Sequence, residues 1–159
     1  MNNRPTLRGQ NVINAKYGRI YAEIEGRRYD LFNMLNIRVE VSTHNKELQA
    51  LDRHLSVHLE TGGRGTFSGN MYRPTPFFLE LLRKKKDTHE TTRFTLELYE
   101  HDVNYSGGRS AIVLYDCLLD NYTLSVLDAA NTESQEAISG TFDDFAIAEA
   151  YQPMEGMGR

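Results

Sequence analysis

His54 and His58 stand four residues apart, a spacing that puts two imidazoles on one face of a helix or a strand. A zinc protease follows the first of its paired histidines with a glutamate as general base, whereas this stretch reads His-Leu-Ser-Val-His with no third ligand nearby. The pair is read as solvent-facing or interface histidines. Gly62-Gly63-Arg64-Gly65, with Gly69 beyond, has the composition of a phosphate cradle. A cradle must follow a strand and open a helix, so that backbone N–H groups and the helix dipole meet the anion. These glycines precede a strand instead, so they are read as a turn and a thinned strand, with Gly69 marking a bulge or a close backbone approach. Ser68 lies in Gly-Thr-Phe-Ser-Gly, which is not the spacing of a nucleophile elbow, and no base stands out to activate it. Asp143 and Asp144 are neighbours on a strand and would face opposite sides, so they share no site. Arg83 to Lys86 reads as a solvated helix end. No catalytic, metal or cofactor site is expected.

The elements that carry these residues are mostly strands of period two. Residues 18–24 place Ile20, Ala22 and Ile24 opposite Arg19, Tyr21 and Glu23. Residues 34–41 end in Ile-Arg-Val-Glu-Val, and residues 65–72 set Phe67 and Met71 against Thr66, Ser68 and Asn70. Residues 93–99 point Phe94, Leu96 and Leu98 inward. The apolar run 111–119, which holds the lone Cys117, is expected as a buried central strand. Asp120-Asn121 then reads as a turn, with 122–127 as the second arm of a hairpin. A last strand over 136–147 slips phase at Asp143-Asp144, the mark of a bulge or bend. One helix follows Thr75 as N-cap and Pro76 in the first turn, with Phe78, Leu81 and Leu82 as its apolar stripe and Lys84 to Lys86 at its end. Residues 42–63 are polar and mixed and show no strong strand of their own, while 151–159 read as an extended tail. The order β-β-β-α-β-β-β-β predicts a mainly β, single-domain protein of 159 residues, a small antiparallel sandwich or barrel with one helix.

Composition narrows the function classes. The formal charge of −4 gives no basic footprint for gripping nucleic acid. One cysteine excludes an internal disulfide framework. The N-terminal Met-Asn-Asn-Arg-Pro-Thr lacks the apolar core of a secretion signal, and no run reaches membrane-spanning length, so synthesis and at least initial folding in the cytoplasm, without membrane insertion, are expected.

Three stretches in order carry a family resemblance. Gly65-Thr-Phe-Ser-Gly-Asn-Met-Tyr72 has the pattern G-x-x-S-G-x-M, and the helix Pro76-Phe-Phe-Leu-Glu-Leu-Leu82 follows it. Ile138-Ser-Gly-Thr-Phe-Asp-Asp-Phe145 ends in the form F-(D/E)-D-F, and between them Leu114 to Asp120 fits L-x-x-(V/C)-x-L-D. The arrangement resembles the tail tube proteins of contractile phages, defective prophages and phage-tail-like bacteriocins of Gram-positive bacteria. Phe67 stands where relatives often carry a tryptophan, which keeps an aromatic in the core.

The resemblance implies a homohexameric ring, stacked into the inner tube of a virion tail or phage-tail-like particle. Its implied partners are the tail sheath protein, baseplate or initiator proteins and a tape-measure protein, with DNA passing through unbound. Within that picture, residues 42–63 are expected to form an arm to an adjacent subunit or ring, carrying His44, Lys46, Glu47, Asp52, Arg53, His54 and His58. Glu23, Glu40 and Glu97 face outward by strand alternation and are the candidate acidic lining of the lumen, where they would repel DNA phosphates. Two alternatives stay open at this point: a tube protein of a contractile secretion system, and a β-barrel that binds a small ligand.

Overall fold

A computed structural model describes residues 8, 9, 13, 15–73, 76–105, 107–125, 127–130 and 133–152. Every strand pairing with a resolved register is antiparallel. The strands are β1 (Gly18–Ile24), β2 (Arg27–Asp30), β3 (Met34–Leu48), β4 (Val57–Tyr72), β5 (Phe94–Glu100), β6 (Ser110–Tyr122), β7 (Gln135–Phe142) and β8 (Asp144–Glu149), with helix α1 (Pro76–Thr88) between β4 and β5. Hydrogen bonding runs in the order β2-β1-β5-β6-β7-β4-β3, and β8 pairs with β6. The mainly antiparallel β fold with one helix is as the sequence predicts.

The chain divides into two compact units. The first holds β1, β2, β5, the first half of β6 and β8 from Phe145 onward. Its interior is built from Ala22, Phe94 and Leu96 at the inward positions of β1 and β5, with Ala111 and Leu114 of β6 and Leu31 just after β2. β1 and β2 are joined by Glu25 and Gly26, both at positive φ, as a tight hairpin turn requires. β2 is too short and polar to announce itself in sequence, and all four of its residues are exposed.

The second unit holds β3, β4, α1, β7 and the second half of β6. Phe67, Met71, Phe77, Phe78, Cys117, Ile138 and Phe142 fill it. Cys117 is fully buried, as expected of a small apolar core residue. Gly69 answers to a close approach, since a Cβ there would come 2.5 Å from the Asn36 carbonyl oxygen of β3. In α1, Phe78 is buried with Leu81 and Leu82 half-buried, and the helix closes with His89 at φ 59 and Thr88 Oγ1 donating to the Lys84 carbonyl at 2.7 Å. Thr75, the expected N-cap, lies outside the described residues.

Four sequence expectations change. Residues 42–63 are not a segment without a strong strand: β3 and β4 run on through it, paired from Met34–Met71 to Leu48–Val57 with two register shifts. Gly62 to Gly65 therefore lie inside β4 rather than in a turn. Asp120-Asn121 does not turn the chain and 122–127 form no return arm; β6 continues to Tyr122 with a register shift between Leu119 and Asn121, and the strand that returns beside it is β7. The last strand is two strands, β7 and β8, separated at Asp143 where the phase slip was read.

Candidate assembly surfaces

The long β3–β4 hairpin is the first surface. Its pairing is regular from Asn36–Asn70 to His44–Gly62, and then Asn45 pairs with Glu60, so Thr61 is one residue too many on β4. Thr61 Oγ1 donates to the His44 carbonyl at 3.1 Å, and Gly62 sits at φ 132, a conformation open to glycine and strained for other residues. Below this bulge Ile37, Val39 and Phe67 share the core-facing side of the sheet, while Arg38, Glu40, Ser68 and Thr66 share the other. Above it the register puts Lys46 against Leu59 and Leu48 against Val57. Strand alternation along β3 places Lys46 and Leu48 on the side of Arg38 and Glu40. The extra residue thus brings Val57 and Leu59 of β4 to the side of Lys46 and Leu48, opposite the proximal core.

The distal hairpin is exposed at every position except the half-buried Ser56. Leu51 at its tip is 99% exposed and Leu55 73%. His44, Lys46, Glu47, Asp52, Arg53, His54 and His58 all lie on it and are all exposed. Glu47 and His58 pair across the strands, on the side away from Leu48 and Leu59. His54 lies in the tip and His58 on β4, and among the described residues no three or more His, Cys, Asp or Glu side chains gather as a metal site.

The second surface belongs to the first unit. Tyr21, Glu23, Arg28, Glu97 and Tyr99 share one side of β1, β2 and β5 through the pairs Tyr21–Glu97, Glu23–Arg28 and Arg19–Tyr99. The Arg28 guanidinium lies 3.9 Å from the centre of the Tyr21 ring and 2.8 Å from Glu97 Oε2. Tyr99 donates to Glu97 Oε2 at 3.1 Å, and burial together with that carboxylate holds its hydroxyl above the usual tyrosine range. An open groove of about 800 Å3 beside this cluster is lined by Lys16, Tyr17, Arg19, Tyr21, Arg28, Tyr99 and neighbours. Of the three expected lumenal acids, Glu97 is bound to Arg28, Glu40 is bound to Arg38 at 2.7 Å, and Glu23 is half-buried opposite Arg28. Two of the three are thus neutralised by an arginine.

A third cluster lies in the second unit, and sequence reading passed over it. Glu136 is 1% exposed, and its Oε1 accepts from Arg73 Nε at 2.6 Å while Oε2 accepts from the Tyr122 hydroxyl. Arg73 also donates to the Leu124 carbonyl. Burial first, and then the Glu136 carboxylate, push the Tyr122 hydroxyl well above the ordinary tyrosine value. The signal was present in β7, where Glu136 takes its place in the alternation Ile138, Gly140, Phe142 and so faces the core. The backbone bonds Arg73 N to Ser134 O and Thr123 N to Ala137 O, each at or near 3 Å, hold the exit of β4 and the end of β6 to β7.

At the other end of the chain, Tyr105 donates to the Gln152 carbonyl at 2.8 Å and packs edge-on to Tyr151. Residues 151 and 152 are therefore fastened rather than part of a free tail, and 153–159 lie outside the described residues.

Sheet edges, an exposed hairpin and an Arg- and Tyr-lined groove are features suited to association. Comparison with known proteins places it more closely. The phage tail tube protein family matches residues 5–149, and the chain belongs to that family, whose members are structural proteins. Over 143 residues it is 26% identical to the phage-like element PBSX protein XkdM of Bacillus subtilis (strain 168), covering 90% of this chain and 95% of that protein. Its fold is similar to a chain of the anti-feeding prophage tube-terminating cap, with TM-score 0.67 and 8% identity over 92% of this chain and 97% of that one. A chain of the sheath/tube terminator of an extracellular contractile injection system is similar at TM-score 0.63 and 7% identity, covering 82% of this chain and 94% of that one.

Proposed function

We propose that this chain is the inner-tube subunit of a contractile phage-type tail, a single tail-tube subunit that forms homohexameric rings which stack into a hollow cylinder. The observation that carries this reading, beside the family, is the β3–β4 hairpin, whose exposed tip is covered by none of the described residues. Edge strands β2 and β3 offer unpaired backbone groups to a neighbour, so edge pairing closes the ring and removes the aggregation hazard at once. The hairpin, with His44, Lys46, Glu47, Asp52, Arg53, His54 and His58, is the arm to an adjacent subunit or ring. Sheath, baseplate or initiator and tape-measure proteins are its partners in the particle. DNA passes along the lumen without specific binding, past the surfaces that carry Glu23, Glu40 and Glu97.

Deletion of residues 46–56 tests the arm. The shortened protein is expected to fold, by circular dichroism and cooperative melting, and to stay monomeric by light scattering where the full chain polymerises. Normal tubes from the deletion would remove the arm assignment.

A further inference from the structure

The register sorts the charges of the β3–β4 hairpin by side. Its three cations, Arg38, Lys46 and Arg64, share one side of the sheet with Glu40, which is already bound to Arg38. The other two carboxylates, Glu47 and Glu60, both lie on the opposite side. Each side carries one histidine, His44 with the cations and His58 with the carboxylates, so the histidines do not alter the contrast. The bulge at Thr61 makes this separation. In a ladder that kept the register of His44–Gly62, Glu60 would stand directly opposite Lys46, a cross-strand pair of opposite charges that stabilises a hairpin. The extra residue moves Glu60 to the side of Glu47 and leaves Lys46 opposite Leu59. Lys46, Glu47, Glu60 and Arg64 are all exposed, and none of them is ion-paired among the described residues. A hairpin that forgoes its own ion pair thus shows one cationic and one acidic side, each the complement of the other.

We infer that the cationic side of the hairpin, Lys46 and Arg64 with Leu48, Val57 and Leu59, docks on the acidic side, Glu47 and Glu60, of the hairpin of a second copy of this chain. The contact rests on the assembly reading above and names the two surfaces that meet. The charges choose the occupant, since the chain itself carries both halves of the contact. Two sheet faces pack about 10 Å apart, a gap that a lysine or arginine chain meeting a glutamate can span. Leu48, Val57 and Leu59, each more than a third exposed, lose contact with water in the same step. The contact is heterologous: each copy gives one side and receives on the other, so it repeats from copy to copy instead of closing a dimer. It also gives the bulge a purpose, because with Lys46 matched to Glu60 inside one hairpin neither charge would be left for a neighbour.

The test reverses each side in the full chain: Lys46→Glu with Arg64→Glu and, separately, Glu47→Lys with Glu60→Lys. All four positions are exposed, so melting temperatures are expected to stay near the wild-type value. The neutral forms, Lys46→Gln with Arg64→Gln and Glu47→Gln with Glu60→Gln, stand in if a reversed chain fails to fold; each is expected to weaken assembly and remove its sensitivity to salt. Each reversed variant alone carries like charges on both sides and is expected to lose assembly by sedimentation velocity where wild type polymerises. An equimolar mixture is expected to recover it, because the acidic sides of one variant meet the cationic sides of the other. The chain carrying all four reversals is expected to recover it as well. Wild-type assembly by either reversed variant alone would overturn the contact and leave the tube reading standing. Variants that stay monomeric both alone and mixed would overturn it too, because the two sides then do not meet each other. Wild-type protein that stays monomeric even with tube ends supplied as seeds would instead remove the assembly reading, and this contact with it.

Discussion

At the scale of single residues, the most consequential group is Glu136, a carboxylate set in a strand position meant for an apolar side chain. Burying a charge is tolerable only when its partners are in place, and removing one partner of a buried pair costs about 3–5 kcal/mol because the other is left uncompensated. Arg73→Ala is therefore expected to lower unfolding stability by about 3 kcal/mol or more, read as a reduced midpoint in urea at unchanged slope. Glu136→Gln keeps the shape and removes the buried charge, so its loss is expected to be smaller. Tyr122 adds a pH dependence of definite sign. Its folded-state hydroxyl titrates above the ordinary value near 10, so its contribution is fully present below about pH 10 and is lost as pH rises beyond it. Stability measured from pH 8 to pH 11 should fall at the alkaline end in wild type, and less steeply in Tyr122→Phe. Glu136 was legible in principle, since its neighbours at 138, 140 and 142 fix its side of the strand. Its partner was not: Arg73 lies 63 residues away, and nothing local ties the two.

At the scale of elements, the strands that bury one face were legible and the ones that bury none were not. Phe67 and Met71 in β4, Phe94 and Leu96 in β5 and Ala22 in β1 all stand inside, as alternation demands. The distal hairpin escaped because its paired strands carry only three apolar residues, at 48, 57 and 59, which come together only when β3 and β4 are laid in register. Asp120-Asn121 misled for a related reason: turn-forming residues also suit a strand irregularity, and here the register shift absorbs them. The hairpin's geometry rests on the bulge, and Gly62 permits it. Gly62→Val would force a branched side chain into φ 132, at a cost of about 1–3 kcal/mol if the conformation is kept. The expected result is a modest fall in melting temperature with a larger loss of assembly, since the cheaper response is to move the exposed arm. Helix α1 depends instead on Phe78, fully buried and 6.1 Å from the Tyr122 ring; Phe78→Ala is expected to cost about 3–5 kcal/mol by urea unfolding.

At the scale of the whole molecule, the candidate site is spread over surfaces, which explains how little of it a motif search can find. No catalytic spacing pointed to it; the order of three short patterns did. The carboxylates named for the lumen illustrate the limit of alternation, which tells which side a residue takes but not that Glu97 meets Arg28 or Glu40 meets Arg38. The central claim is self-assembly into a tube, and electron microscopy of the purified protein at high concentration, with tube ends supplied as seeds, tests it most directly. The account predicts hollow cylinders of uniform width whose end views show six-fold symmetry. Protein that remains monomeric under those conditions, or that forms only closed dimers, would contradict it.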